Sequence, residues 1–230
     1  MIDQGKLIYS LKWDCLVVLD ACRYDFFNEV NWIDGDLLVV RSRGSCTREW
    51  LERTFTRFLP VTYISANPYI SRKSNVFGWR ALRYFKDVIE VWRDGWDERI
   101  GTVHPQTVIE RARHVVGRVI IHLIQPHAPF ILENGVIEVE RWDNARNEAL
   151  GLGNRYVARH YNEFTRDELL YGYRENLRLA LKAVDELVAM YDRVIVTSDH
   201  GELLGDDGLY GHPCGSEHPL LRNVPLLIVR

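Results

Sequence analysis

The sequence predicts an α/β fold, a three-layer sandwich with a mainly parallel central sheet. Short apolar runs rich in Val, Ile and Leu recur along the chain, as expected of strands buried on both faces. Between them lie segments whose apolar residues return every three or four positions, the mark of a helix packed on one side. At 230 residues the chain can form one sizeable core but not two large ones, so a single domain over 1–230 is expected.

In chain order, the first strand is Cys15-Leu16-Val17-Val18-Leu19, ending at Asp20, and Leu37-Leu38-Val39-Val40 follows about one helix later. Val61 to Ser65, Val88 to Trp92 and Val119 to Ile124 continue the series. Val194 to Thr197 and Leu226 to Val229 close it. Helical periodicity covers Thr107 to Val116. It is clearest over Asp167 to Tyr191, where Leu170, Tyr173, Leu177, Leu181, Val184, Leu187 and Val188 repeat at helical spacing. Thr165, with Asp167 and Glu168 behind it, reads as the start of that helix. The stretch from Leu132 to Phe164 has weaker periodicity and reads as a lid-like excursion, with Trp142, Arg146 and Arg155 as candidate substrate contacts.

Composition narrows the function classes. A formal net charge of -3 argues against a surface that wraps nucleic acid. The basic residues Arg72, Lys73, Arg80 and Arg83, set among Phe77, Trp79 and Tyr84, read as a solvated face with aromatic anchors. No apolar run reaches membrane-spanning length, and the first residues lack a signal-peptide pattern. The cysteines Cys15, Cys22, Cys46 and Cys214 lack zinc-ligand spacing and are too few for a disulfide scaffold, so a reduced, cytoplasmic protein is expected. An oligomer stays open.

In open α/β sheets the ligand crevice lies at the carboxyl ends of the strands. Asp20 ends the first strand, with Arg23 and Asp25 entering the next helix; alone, such an Asp is as well explained as a helix cap. Ser42 to Trp50 places Ser45, Cys46 and Thr47 before an apparent helix, where a hydroxyl can be activated or can simply cap. His127 stands between Pro126 and Pro129 after a strand, while His122 within that strand reads as a core residue. Thr197-Ser198-Asp199-His200-Gly201-Glu202 is the most specific signal, followed by Gly211-His212-Pro213 and Glu217-His218-Pro219. Adjacent Asp and His reach one cation only at a sharp strand end, with Gly201 letting the chain turn away. Carboxylate and imidazole together suit zinc or manganese; more oxygen ligands would favour manganese, magnesium or calcium. No glycine-rich phosphate loop follows any strand.

Taken in order, Asp20-Ala-Cys-Arg23-Tyr-Asp25, Gly-Ser-Cys-Thr47, Gln-Pro-His127-Ala-Pro-Phe, Thr-Ser-Asp199-His200-Gly-Glu202 and Tyr-Gly-His212-Pro resemble the alkaline phosphatase superfamily, in its sulfatase-like branch. Val224 to Ile228 resembles the strand that closes that family's core. The resemblance implies an alkaline-phosphatase-like sandwich with one tightly bound divalent cation on Asp20, Asp199, His200 and the nucleophile. His127 and His212 would hold the oxyanion or complete a second metal site; His212 with His218 is the other candidate pair for a second, weaker cation. Attack on a small-molecule phosphate or sulfate ester would give a covalent enzyme intermediate, later hydrolysed.

Sulfatases of the family modify a Cys or Ser within Cys/Ser-x-Pro-x-Arg. Here Cys46 is followed by Thr47, Arg48, Glu49 and Trp50, so that motif is absent and Cys46 is expected to stay unmodified. The alignment favours Thr47 as nucleophile with Ser45 in reserve, and Arg23, Arg48 and Ser45 as substrate-binding residues. The implied activity is hydrolysis of phosphate mono- or diesters. Sulfatase, phosphonate-ester hydrolase or phospho-group transferase chemistry are the alternatives, with a metal-containing binding protein of reduced activity as the reading of another class.

Overall fold

The computed structural model describes residues 1–73, 77–139, 141–153 and 160–229. An eight-stranded sheet forms from β1 (Ile2–Asp3), β2 (Cys15–Leu19), β3 (Gly35–Arg41), β4 (Leu59–Ser65), β5 (Phe85–Glu90), β6 (Val119–Leu123), β7 (Val194–Ser198) and β8 (Asn223–Val229). Their order across the sheet is β1-β3-β8-β7-β2-β6-β4-β5, and only β8 runs antiparallel to its neighbours. All five residues of β2, β6 and β7 are buried, and alternate side chains enter opposite layers. Cys15, Val17 and Leu19 join the layer packed by α4 (Pro105–Ala112) and α5 (Arg166–Val188), whereas Leu16 and Val18 face Trp50, Leu51 and Phe55. Two-sided burial of this kind requires continuous apolar runs rather than polar alternation.

The expected elements are present, with shifted ends. The run from Val88 to Trp92 does not continue as strand: the chain leaves the sheet at Glu90 and Val91–Asp94 is a helical turn. The helix expected over Thr107 to Val116 starts earlier, at Pro105, capped by His104, and ends at Ala112. The long helix begins where expected: Thr165 caps it, accepting from the Glu168 backbone while the Glu168 carboxylate accepts from the Thr165 backbone. Its buried stripe includes Tyr173, Leu177, Leu181, Val184 and Leu187, with Asn176 buried among them. Elements without an expectation include β1 and the helix α1 (Gln4–Ser10), which is capped by Asp3, whereas α2 (Tyr24–Val30) follows Arg23 as expected.

The excursion opens on a hairpin in which Phe130–Leu132, begun two residues before it, pairs with Gly135–Ile137, and Asp143–Leu150 is a helix. Arg155 lies outside the described residues. Among those described, no helix is long and apolar enough to cross a membrane. Of the basic stretch, Trp79 is buried and stacks on Tyr84, while Arg72 pairs with Asp87 at the surface.

Candidate metal centre and nucleophile

Residues that follow the carboxyl ends of β2 and β7 meet because those strands are parallel neighbours paired in register from Cys15–Val194 to Leu19–Ser198. Asp20 and Asp199 are therefore the next residues on adjacent strands. The turn after Asp20 is strained: Ala21 sits at φ 58°, a region that a side chain disfavours. Its N–H donates to Asp199 Oδ1 at 3.1 Å, and the His200 N–H donates to the same oxygen at 2.9 Å.

Asp20, Asp199 and His200 are all fully buried and offer ligand atoms within 4.8 Å of one another. His200 Nε2 lies 3.4 Å from Asp199 Oδ2 and 3.7 Å from Asp20 Oδ1. Its Nδ1 lies 2.8 Å from the Gly201 carbonyl. A carbonyl only accepts, so the ring proton sits on Nδ1 and the Nε2 lone pair faces the carboxylates. Asp20 Oδ1 is buried with no hydrogen-bond partner among the described residues, while Oδ2 accepts from Asn67 Nδ2 at 2.7 Å. Burial and then the neighbouring Asp199 charge push the Asp20 carboxyl well above the usual range. Burial, then the charge of His212, depresses His200. Two buried carboxylates, an orphaned oxygen and an imidazole lone pair form a donor set that fits a divalent cation.

Thr47 is the first residue of α3 (Thr47–Thr54), and its hydroxyl enters this cluster. Thr47 Oγ1 donates to Asp199 Oδ2 at 2.7 Å and lies 3.3 Å from His200 Nε2. The helix N-terminus adds partial positive charge beside the hydroxyl. Ser45, the reserve nucleophile, is committed elsewhere: its one hydroxyl proton is shared between Glu49 Oε2 and the Pro213 carbonyl, and its oxygen accepts from the Ser216 N–H.

The second group is His127, Glu202 and His212, again with ligand atoms within 4.8 Å. His212 Nδ1 donates to the Glu202 carboxylate at 3.1 Å, and the rings of His212 and His200 are 4.4 Å apart. His127 donates through Nδ1 to the Ala128 carbonyl at 2.7 Å, and its Nε2 lies 3.9 Å from Glu202. Burial alone would raise the Glu202 carboxyl, but the charge and hydrogen bond of His212 bring it below its ordinary value. The expected His212–His218 pair is corrected here: His218 caps the helical turn Pro219–Arg222, accepting from the Leu220 N–H, and is not in either ligand group.

Thr47, His127 and His212 open together into a cleft of about 410 Å³, walled by Tyr69, Phe77 and Trp142. Arg48 reaches this cleft with its guanidinium over Phe77. Arg23 does not. It binds Asp25 through Nε and Nη2 and Asp206 through Nη1, so it clamps the turn after β2 instead of facing an ester. Trp142 donates to the Ala128 carbonyl beside His127, whereas Arg146 turns away to lie over Trp96. Another hollow of about 500 Å³ at the other end of the sheet, beside Trp13 and Arg118, holds none of these residues.

Sequence reasoning missed several supports. Asn67 follows β4 as Asp20 follows β2, so the strand-end rule would have found it. His122, read as a core histidine, is buried with Nδ1 2.8 Å from the Tyr63 hydroxyl and Nε2 3.3 Å from Asp20 Oδ2. Burial holds its imidazole down at about 4, so it is neutral. Gly201 has another reason than a turn: a Cβ there would stand 1.9 Å from the Leu220 carbonyl oxygen. The cysteine expectation is also corrected, since Cys46 and Cys214 form a disulfide while Cys15 and Cys22 are free and buried. The sequence puts Cys46 and Cys214 on two loops expected near the site and leaves open whether they meet; the fold joins them across a separation of 168 residues.

No family model and no curated protein sequence matches the chain. Solved structures do match in shape. The soluble domain of lipooligosaccharide phosphoethanolamine transferase A from Neisseria meningitidis aligns over 94% of this chain and 76% of that one, at TM-score 0.57 and 15% identity. The C-terminal periplasmic domain of EcEptC from Escherichia coli, in complex with zinc, covers 99% and 74% at TM-score 0.56 and 13% identity. The phosphonate monoester hydrolase of Agrobacterium radiobacter covers 94% and 68% at TM-score 0.50 and 11% identity. The chain thus shares the fold of these structures, an alkaline-phosphatase-like α/β sandwich around a large, mostly parallel sheet.

Proposed function

We propose that this chain is a metal-dependent enzyme that cleaves phosphate esters, mono- or diester, through a covalent intermediate on Thr47. One observation carries the reading: the Thr47 hydroxyl sits 2.7 Å from Asp199 and 3.3 Å from His200, inside the buried cation-binding cluster and on the wall of the cleft. Asp20, Asp199 and His200 would hold the cation, zinc or manganese before magnesium or calcium. When bound, the cation supplies charge that favours the ionised hydroxyl and offsets the ester's negative charge.

The chain's own residues do the rest. Asp199 takes the Thr47 proton, since its Oδ2 already accepts the hydroxyl, while the one Nε2 lone pair of His200 is given to the cation. The freed Oγ1 forms a bond to phosphorus and the ester oxygen leaves with its electron pair. Glu202 stays ionised and fixes His212 through its Nδ1–H, and the His212 ring, on the wall of the cleft, holds a proton toward the departing or arriving oxygen. His127 and Arg48 border the same space and bind the oxyanion. Release of the group to water completes hydrolysis. Release to an acceptor alcohol is the second reading, favoured by fold neighbours that are phosphoethanolamine transferases by name. The reduced, cytoplasmic expectation gives way to a proposal of an oxidising compartment, which suits the Cys46–Cys214 bridge.

Turnover of an aryl phosphate, a phosphodiester and an aryl sulfate with added zinc or manganese tests this. Phosphate-ester cleavage that a chelator abolishes supports it, and an added acceptor alcohol separates transfer from hydrolysis. Preference for the sulfate would move the reading to a sulfatase. Tight metal binding with no cleavage across the panel would make the chain a metal-containing binding protein.

A further inference from the structure

The Cys46–Cys214 disulfide joins the two loops that carry the reactive groups. Cys46 is the N-cap residue of α3, directly before Thr47, and Cys214 lies two residues beyond His212. Both sulfur-bearing residues line the cleft with Thr47, His127 and His212. The bridge works with a short hydrogen-bonded strap: Ser45 donates to the Pro213 carbonyl at 2.9 Å and accepts from the Ser216 N–H at 3.1 Å. On its other side, the loop from 211 to 216 leaves a short hairpin in which Leu209–Gly211 pairs with Leu203–Asp206. His212 is thus carried by a loop tied at one end to the hairpin and at the other to the start of the nucleophile helix.

We infer that the Cys46–Cys214 bridge is a positioning element that holds His212 beside Thr47, and that a dithiol reductant lowers turnover by opening it. The inference rests on the reading of Thr47 and His212 given above. Cys46 is almost fully buried and Cys214 is exposed, so attack falls on the Cys214 sulfur. The incoming thiolate bonds to that sulfur, the S–S bond breaks, and Cys46 leaves as a thiolate that the α3 N-terminus stabilises. The second thiolate of the reductant then displaces Cys214, which leaves two protein thiols and an oxidised, cyclic reductant. Cys15 and Cys22 are buried free thiols and take no part. After opening, Glu202 still pairs with His212, and the ties from the loop to the start of α3 are hydrogen bonds in place of a covalent link: those of Ser45 with Pro213 and Ser216, and that of the Gly215 backbone with the Glu49 carboxylate.

The test compares air-oxidised wild type, wild type reduced after folding, and Cys214→Ser. Thiol titration of the native protein should find two more reactive thiols after reduction. Without the bridge, kcat on 4-nitrophenyl phosphate with manganese should fall roughly tenfold to a hundredfold while KM changes little, because a displaced group costs rate more than binding. Backbone amides of 211–216 should exchange hydrogen faster, and reductant should leave Cys214→Ser unchanged. If Cys214→Ser does not fold, the protein reduced after folding carries the same comparison. Two new thiols with kcat and exchange at 211–216 unchanged would overturn the inference, as would an oxidised preparation with no bridge. Absence of any turnover in the oxidised protein would count against the proposed function instead, and the exchange rates would still decide the clamp.

Discussion

Asn176 lies in the apolar stripe of the long helix, fully buried, and organises the loop that presents His127. Its side-chain nitrogen faces three carbonyls, those of Pro126, His127 and Pro129, at 3.2, 2.9 and 3.2 Å. Its oxygen accepts from the Ile131 N–H at 3.1 Å. An amide nitrogen has two hydrogens, so one of them is shared, and the arrangement counts as three hydrogen bonds rather than four. At about 1 kcal/mol net each, Asn176→Ala should cost about 3 kcal/mol, since the abandoned loop groups stay buried. For a chain of this size that lowers the melting temperature by roughly 6–12 °C. Guanidinium unfolding should show the loss as a lower midpoint at similar slope. Asn176→Asp should be worse, because it turns a carboxylate toward three carbonyl oxygens. A loss below about 1 kcal/mol for Asn176→Ala would refute the reasoning, as it would mean that solvent or a shifted loop satisfies those groups.

Three further outcomes follow from the geometry. His104 caps Pro105–Ala112 by accepting from the Gln106 N–H, and burial lowers its pKa from 6.5. As pH falls through 6.5 the unfolded chain takes up the proton first, so His104's share of the stability is complete above that pH and declines below it. His104→Asn keeps a cap acceptor without titrating, so unfolding midpoints compared from pH 7 down to about 5 should decline less steeply than in wild type; identical slopes would remove His104 from the account. Metal should stabilise the fold by relieving the buried Asp20–Asp199 repulsion: at a hundred times its Kd a bound cation adds about 2.7 kcal/mol, read as a chelator-reversible rise in melting temperature. No rise with zinc, manganese, magnesium or calcium would contradict the assigned ligands. Gly201→Ala should disrupt the β7 strand end and abolish metal binding, because its Cβ would sit 1.9 Å from the Leu220 oxygen; a variant with normal zinc affinity in calorimetry would show that the backbones part easily.

The parallel core was legible because a strand buried on both faces leaves an unbroken apolar run, as in Leu16 to Leu19 or Val194 to Val196. The strand-end rule brought Asp20, Asp199 and His200 forward as candidates, and although Asp20 alone reads equally as a helix cap, the parallel register of β2 and β7 puts it beside Asp199. Thr47 was reachable only through family resemblance, its hydroxyl being one of several that cap helices equally well. Arg23 was misread because sequence shows that a cation is near a site, never which way its donors point; Asp206, which binds it, lies far along the chain. The Asn176 bracket pairs a helix with a loop nearly fifty residues before it, and single-chain periodicity carries no trace of such a contact.

The covalent step on Thr47 is the centre of the account. Wild type incubated with 4-nitrophenyl phosphate and zinc, quenched in acid and digested, should yield a phosphorylated peptide containing Thr47. Thr47→Ala should give neither the label nor turnover. Label on Ser45, or undiminished turnover in Thr47→Ala, would contradict it.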